Sequence, residues 1–273
     1  MKLTIKTTAY VLFSSIFLFA QETGKNYAVF NSLIRHTDIE NFYTINELRR
    51  VFENPEVQEL EEILSRFKRK PEKTKNYKEY RAIFLNEKRV NDGVRFFFEN
   101  KDLFKKIIQD FKIDPLIIVA IVGVETNYGE IHAEYSVFNS LYTQALNLPQ
   151  RKVWATKELF ELLVYCKEAG EDPFEVRGSY AGAFGYGQFI PSSFRRLSID
   201  YNQNGKKEPY NWEDVLGSIA HYLKENKYPD DYNNFSFRSK SWQAIRTYNR
   251  SDHYANTIIE LRNELAKQVF LSF

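Results

Sequence analysis

Glu125 is the residue in this sequence best placed for acid–base chemistry. It follows the run LIIVAIVGV, Leu116 to Val124, which is apolar around the whole circumference of a helix and so belongs in a core. A carboxyl group beside so much hydrocarbon has its charged form disfavoured and its pKa raised. A proton held near neutral pH is what a general acid needs, and glycoside hydrolysis is the commonest chemistry that uses it. The same position also suits a terminal glutamate that turns out to solvent. A second group of residues narrows the choice. Four of the eleven glycines fall between Gly178 and Gly187, within RGSYAGAFGYGQFIPSS, so the backbone there turns tightly or is closely approached. Ser179, Tyr180, Tyr186, Gln188 and Phe189 bring hydroxyl, amide and aromatic groups together, the mixture that sugar rings and their acetamides require. A tight helix crossing with core aromatics is the bland reading of the same stretch. The spacing is not GxGxxG and no strand is expected before it, which argues against a dinucleotide site. A further cluster, TYNRSDHYA from Thr247 to Ala255, again pairs tyrosines with an amide. His253 within it reads as a surface or structural histidine.

These groups need helices to hold them. Asp114-Pro115 is an N-cap followed by a proline at the first helical position, and Gly129 supplies a stop for the helix that carries Glu125. Apolar residues on one helical face predict helices over Glu56 to Phe67 and Ala155 to Lys167, over Trp212 to Asn226, and over Tyr254 to Val269. Val90 to Phe111 reads as one or two more. Strand-like alternation is scarce, so the expected class is mainly α, with a helical core, an additional helical region towards the amino end and little β structure.

Composition sets the outer limits. The chain is 273 residues long, 43% hydrophobic, 27% charged and 16% aromatic, which excludes disordered, collagen-like and coiled-coil classes. Its 38 basic residues against 36 acidic ones give a net charge of +2. Lys2 and Lys6 account for that excess, so nothing electrostatic points to nucleic acid. The one cysteine, Cys166, excludes an internal disulfide and a cysteine-based zinc site, and reads as a small buried hydrophobe. Residues 1–20 have two lysines before an apolar stretch that is short for a membrane span, the layout of a secretory signal. Leu18 is larger than a cleavage site prefers, so an uncleaved anchor is the alternative. Export to the periplasm or cell envelope is the expected destination.

At these residues the sequence resembles the lytic murein transglycosylases of the membrane-bound B type, which have a lysozyme-like fold. GVETNYGE (Gly123 to Glu130) is similar to the family's catalytic motif, which usually has Arg-Trp where this chain has Asn127 and Tyr128. SYAGAFGYGQFIPSSF resembles its long groove motif and YNRSDHYA its carboxyl-terminal one. YKEYRAIF (Tyr77 to Phe84) extends the likeness over most of residues 21–273, the expected catalytic domain. The resemblance implies an enzyme that cuts peptidoglycan between N-acetylmuramic acid and N-acetylglucosamine and leaves a 1,6-anhydromuramyl end. Glu125 is implied as the single acid and then base. Ser179, Gln188 and Phe189 are implied to line the groove, with Tyr80, Tyr222, Tyr248, Asn249 and Tyr254 in its walls and Arg151 facing the peptide or acid part of the substrate. Gln150 stands where the family usually has a further arginine. No metal or water is implied for the reaction, and no second carboxylate partner is evident near the groove motifs; Glu130 is expected to point elsewhere. The family prototype's small β-rich module is expected to be missing, or a remnant, between Tyr228 and Ser241.

The stretch from Asp200 to Asp214, DYNQNGKKEPYNWED, offers a calcium-loop pattern. Asp200, Asn202 and Asn204 alternate before Gly205, Lys206 offers a carbonyl, and Asp214 closes a loop longer than the EF-hand standard. Some family members carry an EF-hand-like loop at this place. The two formal charges predict weak binding and a structural role, and an Asx-rich turn opening the next helix explains the residues equally well. The rival functions are a hydrolytic muramidase, which needs a second carboxylate to place water, and a non-catalytic peptidoglycan-binding or scaffolding protein.

Overall fold

The computed structural model describes residues 25–68, 76–131, 134–231 and 234–271. The signal-like segment 1–20 lies outside the described residues. In chain order the helices are α1 (Lys25–His36), α2 (Ile45–Phe52), α3 (Glu61–Lys68), α4 (Tyr77–Phe84), α5 (Glu87–Glu99), α6 (Lys101–Phe111) and α7 (Pro115–Thr126). They continue as α8 (Val137–Asn147), α9 (Lys152–Ala169), α10 (Pro191–Leu197), α11 (Trp212–Glu225), α12 (Lys240–Tyr248) and α13 (Asp252–Leu271). Among the described residues the only sheet is a two-residue antiparallel pair, β1 (Tyr135–Ser136) with β2 (Arg177–Gly178), in which Tyr135 faces Gly178. The class is therefore mainly α, as the periodicity predicts.

Helix α7 is the axle. Every residue from Leu116 to Val124 is buried, as expected of a helix with no polar face, and it packs against α5, α6, α11 and α13. Asp114 caps it through a 2.9 Å bond from the Leu116 amide, while its other oxygen takes Arg262 of α13 at 2.6 Å. One carboxylate thus starts the central helix and ties the last helix to it. Cys166 is buried in the α9 core.

Several boundaries differ from the sequence expectation. The segment read as one helix over Glu56 to Phe67 is helical only from Glu61. A turn closed by the Val57 amide on the Asn54 carbonyl occupies its start, and the amides of Gln58 and Leu60 are taken by Asn139 Oδ1 and Thr143 Oγ1 of α8, both at 3.0 Å. Val90 to Phe111, read as one or two helices, is two, with α5 and α6 meeting at Asn100, whose side chain donates to the Phe96 carbonyl. Helix α7 stops before Gly129: Asn127 and Tyr128 already have left-handed φ of 49° and 58°. A short strand, β2, does open the glycine-rich loop. Between Tyr228 and Ser239 no strand occurs among the described residues.

Candidate active site

Glu125 emerges on the last turn of α7 and is half-buried. Its Oε1 accepts a 2.7 Å hydrogen bond from the Tyr254 hydroxyl of α13. The ring of Tyr254 is buried and stacks parallel to Tyr248, with centroids 6.3 Å apart and planes 2° apart. Tyr248 in turn donates to the Gly187 carbonyl at 2.6 Å, so the last residue of α12 fixes the glycine-rich loop. Burial, and then the charge of Glu125, push both phenols well above their ordinary pKa of 10.0. Both are therefore neutral hydrogen-bond donors near neutral pH.

The glycine-rich loop is folded by its own chemistry. Gly185 has φ +73°, and a Cβ there would come within 2.6 Å of the Pro209 carbonyl, so only glycine fits. The Ala183 amide bonds Ser179 Oγ at 3.1 Å, and Gln188, itself at φ 50°, turns its amide nitrogen back onto the Gly185 carbonyl. The loop is anchored to α11 by Tyr186, which stacks on Trp212 with centroids 4.3 Å apart. Thr126 Oγ1 lies 3.1 Å from the Tyr186 carbonyl, tying the residue after Glu125 to the same loop.

A cleft of about 250 Å3 opens in front of Glu125. Of the residues expected from sequence, Glu125, Ser179, Tyr180 and Gln188 line it together. Behind them Phe189, Tyr222 and Tyr248 form an aromatic wall, with Tyr222 and Tyr248 edge to face at 4.8 Å and Phe189 5.5 Å from Tyr248. Phe189 and Tyr222 are buried in that wall rather than presented to the cleft. Tyr80 is buried beside His253, ring centroids 5.7 Å apart.

Two expected groups stand apart from this lining. Asn249 is an exposed residue at the end of α12. Arg151 is held one layer back: its guanidinium lies 4.1 Å from the Trp154 ring centre and 4.8 Å from that of Phe67, and its Nε donates to Gln144 at 2.7 Å.

The structure adds groups that the sequence did not offer. Arg66, Thr126, Ile131, Glu134 and Tyr135 also line the cleft. Glu134 is a second carboxylate in the cleft, which corrects the expectation that none is near. Its Oε2 takes Arg66 Nη2 at 3.0 Å, and Arg66 also pairs with Glu62 and lies over the rings of Tyr135 and Tyr180. Helix α3 thereby reaches the cleft from a part of the chain with no local signal of a site. Glu130 points away, onto Lys88 at 3.1 Å.

The Asp200–Asp214 loop closes on itself. Asp200 accepts the amides of Asn204 and Gly205, Asn202 accepts that of Asn204, and Asn204 accepts that of Lys206. Buried Asp214 accepts the amides of Tyr201, Asn202 and Glu208 at 2.8–3.2 Å. The oxygens face loop amides, and among the described residues no three His, Cys, Asp or Glu side chains are grouped to hold a metal ion. As arranged, the loop's hydrogen bonds are those of Asx turns.

A helical fold whose buried central helix delivers one glutamate to an aromatic, glycine-lined cleft defines a lysozyme-like protein. The chain belongs to the family described as the transglycosylase SLT domain, whose model matches residues 27–235. It is 34% identical over 145 residues to the membrane-bound lytic murein transglycosylase B of Escherichia coli K12, covering 53% of this chain and 40% of that protein. The chain thus spans about two fifths of the length of that curated relative. Its fold matches the soluble lytic transglycosylase SltB1 of Pseudomonas aeruginosa with a TM-score of 0.80 at 26% identity, over 90% of this chain and 99% of that one. The Escherichia coli lytic transglycosylase SLT35, solved in complex with calcium, matches in fold with a TM-score of 0.80 at 21% identity, over 91% and 95% of the two chains.

Proposed function

We propose that this protein is an exported peptidoglycan lytic transglycosylase that cleaves the β-1,4 bond between N-acetylmuramic acid and N-acetylglucosamine. In this reading residues 1–20 direct export, residues 21–273 form the catalytic unit, and the substrate lies along the cleft in front of Glu125. The carboxyl of Glu125 gives its proton to the glycosidic oxygen as the bond from that oxygen to the muramyl anomeric carbon breaks. The resulting carboxylate then takes the proton of the muramyl 6-hydroxyl as O6 bonds to the anomeric carbon. The product is a 1,6-anhydromuramyl end, no water is consumed, and one residue serves both steps because they occur in succession.

The observation that carries this reading is the 2.7 Å bond from Tyr254 to Glu125 at the end of a wholly buried helix. It orients the carboxyl of Glu125 at the cleft that it lines. Ser179 and Gln188 supply neutral hydrogen-bonding groups beside it. A hydrolytic outcome needs a second carboxylate to position water. Glu134 is the one such group lining the cleft, and its ion pair with Arg66 opposes that use. Digestion of purified peptidoglycan tests the proposal: anhydro ends that disappear with Glu125→Gln support it, and reducing ends make the protein a hydrolase. Retention on the wall without any product leaves a binding protein.

A further inference from the structure

A second pocket lies where α12 turns into α13, lined by Arg238, Trp242, Gln243, Arg246, Thr247 and Asp252, with a volume of about 490 Å3. It is built rather than incidental. Arg238 has a left-handed φ of 64°, and the Gln243 side chain donates to its carbonyl at 2.7 Å, fixing the turn before α12. Phe237 is 57% exposed although its ring meets Trp242 edge to face at 4.9 Å, so an apolar face is held out to solvent on a rigid base. Arg246 is paired with Asp252 across the α12–α13 turn. Arg238 lies over Phe237, and among the described residues it has no carboxylate partner.

We propose that this pocket is an accessory subsite for a carboxylate carried on the glycan strand. A guanidinium with no carboxylate partner presents a planar fork of donors suited to a carboxylate, and the exposed Phe237 ring offers the apolar face on which a sugar or alkyl group rests. The lining carries two cations against one anion, whereas the whole chain is close to neutral. The pocket is tied through the protein to the aromatic wall behind the cleft. Thr247 lines it, the Thr247 carbonyl accepts the Tyr222 hydroxyl at 2.8 Å, and the next residue is Tyr248 of the aromatic wall. This inference rests on the peptidoglycan reading above. The carboxylate has two sources of the same chemistry, the lactyl group of a peptide-free muramyl residue and the carboxyl end of a stem peptide.

The test is binding of the full chain carrying Glu125→Gln, which stops turnover, to three soluble strands. One is peptide-free, one bears stem peptides, and one is peptide-free with its carboxylates converted to amides. Adding Arg238→Ala is expected to weaken binding to carboxylate-bearing strands about three- to fivefold, the scale of an exposed ion pair. It is expected to leave the amidated strand unaffected, with Arg238→Lys recovering part of the loss. Adding Phe237→Ser is expected to weaken binding to all three. A loss on the peptide-free strand assigns the lactyl group, and a loss confined to the peptide-bearing strand assigns the stem peptide. Equal affinities with and without Arg238→Ala on every strand, with unchanged melting temperature, would overturn the subsite. Failure of the Glu125→Gln parent to bind any strand would instead overturn the peptidoglycan reading itself.

Discussion

At the scale of single residues, the account rests on how Glu125 is held. Tyr254→Phe keeps the buried ring and its stack on Tyr248 but removes the donor to Oε1. A hydrogen bond to a charged group contributes about 1.5–3 kcal/mol, so turnover on peptidoglycan is expected to fall about ten- to a hundredfold. The far-ultraviolet spectrum and melting temperature should stay near those of the wild type. An unchanged turnover number would mean that the bond has no part in positioning Glu125. Arg66 makes a complementary case, because it lines the cleft paired with Glu134. Arg66→Ala frees Glu134 and uncovers Tyr135 and Tyr180, so the expected effect is a raised KM for glycan strands with a smaller change in kcat. A kcat loss matching that of Tyr254→Phe would instead place Arg66 at the reacting atoms.

At the scale of elements, Asp114 is the joint on which the site depends, since it caps α7 and pairs with Arg262 of α13, the helix that brings Tyr254. Asp114 is 3% exposed. Removing one partner of a buried pair costs about 3–5 kcal/mol and losing an N-cap about 1 kcal/mol, so Asp114→Ala should be severely destabilising. Asp114→Asn keeps the cap and loses the charge, and chemical denaturation should rank the wild type above Asn and Asn above Ala. Equal midpoints for Asn and Ala would show that the cap contributes nothing. The same element shows what was legible in the sequence. An apolar run with an N-cap at its start and a glutamate at its end is a local signal, and so is a cluster of glycines; both led to Glu125, Ser179 and Gln188. Arg66 and Glu134 were not legible, because their place in the cleft is set by how α3 and the approach to β1 pack onto α8 and the glycine-rich loop. The apolar periodicity over Glu56 to Phe67 hid that geometry further, because the residues before Glu61 are held by Asn139 and Thr143 of α8 instead of forming a helix. Arg151 was misplaced for a related reason: the aromatic faces of Phe67 and Trp154, distant in sequence, hold its guanidinium back from the lining.

At the scale of the whole molecule, the density of buried phenols makes the fold sensitive to alkali. Burial raises the pKa of Tyr43, Tyr128, Tyr165 and Tyr201 above 10.0, as it does for Tyr248 and Tyr254. The folded state keeps these protons while the unfolded chain releases them from pH 10 upward. Stability from this source is complete below that pH and declines as pH rises towards the folded values. The absorbance of these buried tyrosinates and the loss of helicity should therefore rise together, at a pH above that at which the exposed tyrosines titrate. Ionisation of these tyrosines in a still-folded chain would contradict their burial. Calcium supplies a second global test. The Asp200–Asp214 loop is closed by its own amides, so adding calcium or a chelator should leave the melting temperature unchanged, whereas a rise that saturates with calcium would show that the loop rearranges into a cage.

The most direct test of the central claim is the mass of the soluble fragments released from purified peptidoglycan by the wild type and by Glu125→Gln. The account predicts fragments ending in 1,6-anhydromuramic acid, lighter by one water than hydrolytic products and resistant to borohydride reduction, from the wild type alone. Reducible ends from the wild type, or anhydro ends in undiminished yield from Glu125→Gln, would contradict it.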